Sequence, residues 1–312
     1  MEKVLVCGGA GYIGSVLCGF LLDEGKQVTC LDNLTFGPQS LLHLADREGF
    51  RFMFGDVRDK SVLERVVKDQ DVIIPLAAIV GAPQCNLNPV DAVLTNRDSV
   101  INLNSIRSSN QKFIYATTNS GYGTTSGETF CTEETPLNPI SLYGRTKSDA
   151  EKAVLDSGKD VITLRLATVF GMSPRMRTDL LVNNFVMHAI NEGYLVIYEG
   201  GFKRNYAHVT DISRCFAHCI EHFDAMKNRP YNVGLDEANL SKMELAEKIK
   251  EHVPKLDIIS REVGSDVDRR NYIVSNARIA KEGFRCIFDL DFGIAEMIKG
   301  YGLMFGKEVA RQ

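Results

Sequence analysis

Tyr143 and Lys147 stand four residues apart in Tyr143-Gly144-Arg145-Thr146-Lys147, a spacing that puts both side chains on one face of a helix, about one turn apart. A phenol with its ordinary pKa near ~10 is a poor base at neutral pH, but an adjacent ammonium stabilises the phenolate and makes proton transfer accessible. A hydroxyl precedes the pair at Thr118, in Thr117-Thr118-Asn119-Ser120-Gly121-Tyr122-Gly123. That segment leaves an apolar strand run, Lys112 to Ala116, at its carboxyl end, where open parallel sheets bind their ligands. Thr118, Tyr143 and Lys147 are therefore the candidate catalytic residues, with proton transfer as their chemistry.

Such a trio needs a partner, and the start of the chain supplies one. The apolar run Lys3 to Cys7 reads as a buried strand; glycines follow at 8, 11 and 14, and then a sequence able to start a helix. Gly8 permits the tight turn, Gly11 lets the backbone approach a pyrophosphate, and Gly14 lets the helix pack closely on the sheet, so the helix N-terminus faces negative charge. A second apolar run, Gln27 to Leu31, ends in Asp32, whose carboxylate can accept both hydroxyls of an adenosine ribose and would repel a 2'-phosphate. Asn33-Leu34-Thr35 follows with no arginine to offset that repulsion, so NAD is favoured over NADP. Tyr12 and Ile13 in the turn, Asn33 beside the acid, and Leu76, Ala77 and Ala78 at a later strand end are candidate cofactor contacts. Asn96 either meets the cofactor or supports the neighbouring loop.

The elements that must position these residues alternate through the first half, as a parallel sheet covered on both faces requires. Helices are expected near 39–46, over 61–68 and, as one long helix, over 89–108; strands are expected at 51–54, 71–76, 112–116 and 161–167. The segment 77–83 is rich in small residues, which leaves room for ligands and makes Val80 and Gly81 candidate substrate contacts. Beyond residue 170 the pattern loosens into a basic, proline-broken loop, Gly171 to Arg177, and a helix near 179–191. Short strands follow at 195–198, 205–209 and 231–233, then helices near 211–223, behind Ser241, near 277–282 and near 294–299. Two lobes are expected: residues 1–170 around the cofactor, and 171–312 as a smaller mixed α/β substrate lobe with some exchange of strands and helices. Arginines at 175, 177, 204, 269 and 270 are candidates for a second anionic ligand.

Composition narrows the partners. The chain has 312 residues, 44% hydrophobic and 24% charged, with a formal charge of −4; it lacks the basic field a nucleic-acid partner demands. Eight cysteines fall mostly inside apolar runs without a CxxC pair, which reads as buried thiols in a reducing cytoplasm and gives no metal site. The opening strand run carries no basic leader and apolar segment, so no signal peptide is expected, and no uncharged apolar run suggests a membrane span.

The glycines at 8, 11 and 14, with Thr118, Tyr143 and Lys147, resemble the extended short-chain dehydrogenase/reductase pattern over nearly the whole chain. That resemblance implies a Rossmann-type doubly wound parallel sheet, α/β in class, with a smaller sugar-nucleotide lobe. It implies Tyr143 as base or acid at a sugar hydroxyl, Lys147 as the residue that lowers its pKa and holds the nicotinamide ribose, and Thr118 as the usual hydroxyl. Cofactor contacts near Asp56 and Val57 and a homodimer packed through helices near 90–108 and 143–157 are implied as well. Thr168 stands where many relatives have Asn. Arg204-Asn205-Tyr206 resembles the family's substrate-phosphate segment, and Asp268-Arg269-Arg270 a second phosphate-contacting region; Asn119, Ser120, Arg175, Arg177 and Asn184 complete the substrate candidates. Dehydratases of this family carry Asp-Glu after the catalytic hydroxyl; Asn119-Ser120 supplies neither an acid nor its conjugate base, which argues against 4,6-dehydration. Segments 75–83, 118–123, 173–177 and 204–206 are most similar to bacterial GDP-heptose 4-dehydrogenases of capsule biosynthesis. That similarity implies oxidation of a GDP-heptose at C4 with NAD, the reduced cofactor being recycled by a small 2-oxo acid. An NDP-sugar 4-epimerase and an NAD-sensing regulatory module remain the alternatives.

Overall fold

The computed structural model describes residues 1–125, 128–261 and 270–307. Its strands are β1 (Lys3–Cys7), β2 (Gln27–Asp32), β3 (Phe50–Phe54), β4 (Val72–Pro75), β5 (Lys112–Thr118), β6 (Phe130–Cys131), β7 (Ile162–Leu166), β8 (Thr168–Phe170), β9 (Tyr194–Tyr198), β10 (Lys203–His208), β11 (Arg229–Val233), β12 (Asn239–Ser241), β13 (Asp257–Arg261) and β14 (Ile273–Val274). Seven of them form one parallel sheet in the order β11-β7-β5-β4-β1-β2-β3.

Alternate residues of the central strands feed two cores, as a period of two demands. Val4, Val6, Val28, Cys30, Val72 and Ile74 pack on one face with the helices Tyr12–Asp23 and Val209–Glu221. Leu5, Cys7, Leu31, Ile73, Phe113 and Tyr115 pack on the other with Lys60–Val67, Ser99–Ile106 and Leu142–Leu155. Strand order reverses between β1 and β4, which opens the crevice where doubly wound sheets bind ligands.

Strands and helices are exchanged across the division at residue 170. The Val209–Glu221 helix and β11 return to the large sheet and bury Phe216, Tyr231 and Val233 in its core, so 209–233 belongs to the cofactor lobe. The exchange arises because the sheet's last edge strand pairs with β7 only after the chain has built part of the second lobe. That lobe holds the three-stranded sheet β12-β10-β8, the β13-β9 pair and the helices Leu181–Asn191, Lys242–His252 and Leu290–Phe305, around a core of Phe170, Val186, Leu245, Ile294 and Tyr301.

Two expected helices take other forms. The segment near 39–46 is a short 3-10 helix, Gln39–Leu44. The long helix over 89–108 is broken into Pro89–Val93, a π-helical turn over Leu94–Asp98 and Ser99–Ile106; such wide turns rotate the side chains they carry and recur at functional sites. All eight cysteines are unpaired and seven are buried. No helix among the described residues is long and apolar enough to cross a membrane.

Candidate active site

A cleft of about 1120 Å³ runs along the carboxyl ends of the strands, from the glycine turn past Asp32 to Thr118, Tyr143 and Lys147, and on to Arg204 and Arg270. Close backbone approach requires glycine at two positions of the turn. A Cβ on Gly8, whose φ is +88°, would lie 2.5 Å from the Ala77 nitrogen, and one on Gly14 would lie 2.3 Å from the Gly8 carbonyl oxygen. Gly11 caps the Tyr12–Asp23 helix without a side-chain cap, and the first turn carries no acid, so its amides face the cleft ready for an anion. At the end of β2, Asp32 accepts from the backbone N–H of Ala10 at 3.0 Å and of Leu34 at 2.8 Å. These bonds fix a carboxylate beside the phosphate turn, as a ribose-binding acid requires.

Ile13, Asn33, Asp56, Val57, Leu76, Ala77 and Ala78 line the same half of the cleft. Asp56 is clamped by Arg58 and accepts from the Asn33 amide at 3.1 Å; the Arg58 bond, opposed by partial burial, brings its carboxyl down to about 2. Tyr12 also lines the cleft, and its phenol is engaged by the second lobe: it donates to the Gly171 carbonyl at 2.7 Å and accepts from Asn183. Of the two roles open to Asn96, the hydrogen bonds show loop support. It is fully buried, with its Oδ1 accepting from the Ile79 N–H at 2.8 Å and its Nδ2 donating to the Ile79 carbonyl at 2.9 Å. The π-helical turn aims it under the 77–83 loop, and Tyr115 beneath donates to its carbonyl.

At the catalytic end, Ser141 caps the Leu142–Leu155 helix by accepting from the Gly144 N–H, which sets the helix start so that Tyr143 and Lys147 both face the cleft. Thr118, the last residue of β5, accepts from the Ser120 N–H and donates to the Ser120 hydroxyl at 2.9 Å. Burial pushes the Tyr143 phenol above its ordinary value; Arg270 and then Arg177 pull it back, Cys85 opposes them and the Thr118 hydroxyl assists. Lys147 is 4% exposed, its ammonium 4.3 Å from the Tyr115 ring centre, and desolvation brings it down to about 7 against smaller upward pulls from Glu151 and Cys85. In the folded chain Arg270 and Arg177 are further positive groups that lower the Tyr143 phenol, beside the Lys147 that the sequence pairs with it.

The helix is pinned from behind. Arg165 on β7 donates to Glu151 Oε1 from Nε at 2.8 Å and Nη2 at 2.6 Å, and its Nη1 reaches the Tyr122 hydroxyl at 3.0 Å. Breaking such a buried pair by removing one partner costs about 3–5 kcal/mol, so the face carrying Lys147 has little freedom to rotate.

Among the substrate candidates, Val80, Gly81, Ser120, Thr168, Arg175, Arg177, Asn184, Arg204 and Arg270 line the cleft. Ser120 accepts from Arg270, Arg177 grips Asp179 with two bonds, and Arg204 is buried with its guanidinium 5.7 Å from the Tyr272 ring centre. Asn119 is the exception: it is 1% exposed within the tight turn Asn119–Tyr122, which rotates it to the interior while Ser120 takes the cleft side. Asp268 and Arg269 lie outside the described residues. Sequence reasoning missed Thr35, Phe36, Lys242 and Tyr272 as cleft residues; only Phe36, a lone aromatic in the polar loop after Asp32, carried a signal.

A family model described as the NAD dependent epimerase/dehydratase family matches residues 4–234. The chain belongs to that family. It is 29% identical over 315 residues to the low-salt glycan biosynthesis protein Agl12 of Haloferax volcanii, an alignment covering 96% of this chain and 98% of that protein. In fold it is similar to dTDP-glucose 4,6-dehydratase from Bacillus anthracis in complex with NAD, at TM-score 0.84 and 24% identity, with 97% of each chain covered. It is likewise similar to the UDP-glucose 4-epimerase complex with NAD from Thermus thermophilus, at TM-score 0.81 and 24% identity over 96% of this chain and 99% of that one. The family member described here is an enzyme of the nucleotide-sugar epimerase/dehydratase type, and its cofactor is NAD.

Proposed function

We propose that this enzyme oxidises the C4 hydroxyl of a nucleotide-linked sugar to the 4-keto sugar, acting as a 4-dehydrogenase on a GDP-heptose. The observation that supports C4 oxidation over dehydration is Thr118, Tyr143 and Lys147 gathered at one end of the NAD cleft with no carboxylate, among the described residues beside them, available as an acid. Ser120 occupies the cleft side of the turn, and Asp179, gripped by Arg177, is held below the usual carboxylate range and stays ionised. Elimination of a C6 hydroxyl needs a proton donor there, whereas C4 oxidation does not.

NAD, held by Gly8, Gly11, Ile13, Asp32 and the small residues 76–78, supplies the hydride acceptor when bound. Tyr143 takes the proton of the C4 hydroxyl, Thr118 orients that hydroxyl, and Lys147 holds the cofactor ribose beside the phenol. Arg204 and Arg270 are the proposed contacts of the substrate diphosphate. A small 2-oxo acid is the proposed acceptor that restores the oxidised cofactor, and a homodimer the proposed assembly.

A 4-epimerase remains the second reading, favoured by the same trio, which supports C4 oxidation in either enzyme. Incubation with GDP-heptose, with and without a 2-oxo acid, followed by mass and NMR analysis, separates them. Stoichiometric 4-keto product that becomes catalytic with the oxo acid supports the dehydrogenase. Catalytic formation of an equal-mass C4 epimer, independent of the oxo acid, overturns it in favour of the epimerase.

A further inference from the structure

The loop from Gly171 to Arg177 is rooted in its own lobe, where the Met172 N–H donates to Glu296 at 2.9 Å, and reaches across to the cofactor lobe. Three contacts fasten it to the phosphate-binding end of the Tyr12–Asp23 helix: Tyr12 Oη donates to the Gly171 carbonyl at 2.7 Å, Ser173 Oγ donates to the Tyr12 carbonyl at 2.7 Å, and Ser173 Oγ lies 3.1 Å from Ser15 Oγ. Asn183 braces the arrangement, donating both to the Tyr12 phenol and to the Arg177 carbonyl. Two residues beyond Ser173, the Arg175 guanidinium carbon sits 3.9 Å from the centre of the Phe36 ring. Phe36 lies four residues past Asp32 and is 68% exposed, and both members of the pair line the cleft.

The stacked pair thus joins the two lobes across the stretch that begins at the helix N-terminus and ends at the ribose acid. A guanidinium lying flat on an aromatic face keeps its N–H groups directed outward from the ring edge, where a phosphate can accept them. Burial and the neighbouring Arg177 pull Arg175 below the usual arginine value, so an anion placed there would relieve a charge the loop otherwise carries at a cost.

We propose that Arg175 and Phe36 form a clasp over the diphosphate and adenosine ribose of bound NAD, and that Arg175 serves the cofactor, not the sugar nucleotide, and sets how fast NAD leaves. The clasp rests on the NAD site alone, so it stands or falls independently of which sugar is oxidised. It reassigns a residue that sequence reasoning places with the substrate. Within the clasp the exposed Phe36 ring holds the planar cation in place, and opening the pair admits or releases the cofactor.

The test is the release rate of radiolabelled NAD from the loaded protein, chased with excess unlabelled NAD. Phe36→Ala and Arg175→Ala should each speed release by about tenfold, the scale of one partly desolvated cation–aromatic contact. Arg175→Lys, which keeps the charge and loses the plane, should fall between wild type and Arg175→Ala. The double variant should release NAD little faster than the faster single one, because both substitutions remove a shared contact. GDP and UDP affinities, measured by calorimetry on the NAD-loaded proteins, should stay unchanged. Unaltered NAD release in both single variants overturns the clasp, as does lost GDP or UDP affinity in Arg175→Ala with normal NAD release, which would return the residue to the substrate. Phe36 is exposed and its truncation spares the core, so it decides the matter even if Arg175→Ala fails to fold.

Discussion

Replacing Lys147 by Met exposes what its buried ammonium costs the fold. Desolvation brings this lysine to about 7 from its ordinary 10.5, and the side chain is 4% exposed; at about 1.4 kcal/mol per pH unit, charging it in the NAD-free protein costs ~5 kcal/mol relative to the unfolded chain. The sign follows from proton counts. Below about 7 both states are protonated and the folded state bears the whole penalty; between there and 10.5 the unfolded chain binds more protons, so stability rises with pH. From about pH 6.5 to about pH 8.5 roughly 2 kcal/mol should be recovered by wild type and none by Lys147→Met. Urea unfolding of both NAD-free proteins at the two pH values measures this. The variant should be the more stable at the lower pH, with its advantage shrinking by about 2 kcal/mol at the higher one. A stability difference that is the same at both pH values would show the ammonium to be well solvated and the penalty absent. A stability cost of this kind is what the proposed role of Lys147 beside Tyr143 predicts.

Two other predictions concern the same cleft. Tyr143→Phe should lower turnover by about 100-fold or more while calorimetric NAD affinity changes less than about twofold, because the phenol moves a proton and the glycine turn holds the cofactor. Wild type should bind NAD at least about tenfold more tightly than NADP, since Asp32 faces the position of the extra phosphate; equal affinities by calorimetry would mean that Arg58 or another group overrides it.

The parallel sheet was legible because its strands are apolar on both faces and its glycine turn has a geometric purpose. Gly8, Gly14, Asp32, Thr118, Tyr143 and Lys147 all fall where their types and spacing place them. Other features depended on contacts that sequence spacing does not encode. Asn96 looks like any helix amide until the π-helical turn rotates it beneath Ile79. Asn119 and Ser120 are adjacent, and only the tight turn after β5 decides which of them meets the cleft. Arg177 and Arg270, which both lower the Tyr143 phenol, lie 34 and 127 residues further along the chain, a convergence set by the packing of the second lobe. β12 and β14 are three and two residues long, too short for a periodic signal, and β11 was legible as a strand but not as an edge of the first sheet.

Hydride transfer itself can be followed in a single turnover of the NAD-loaded enzyme with nucleotide sugar deuterated at C4, without an added acceptor, quenched and analysed by mass spectrometry. One deuterium is expected in the reduced cofactor, appearing at a rate that Tyr143→Phe lowers by about 100-fold or more. Unlabelled reduced cofactor, or sugar converted with its C4 deuterium never transferred to the cofactor, would overturn C4 oxidation by NAD as the chemistry of this cleft.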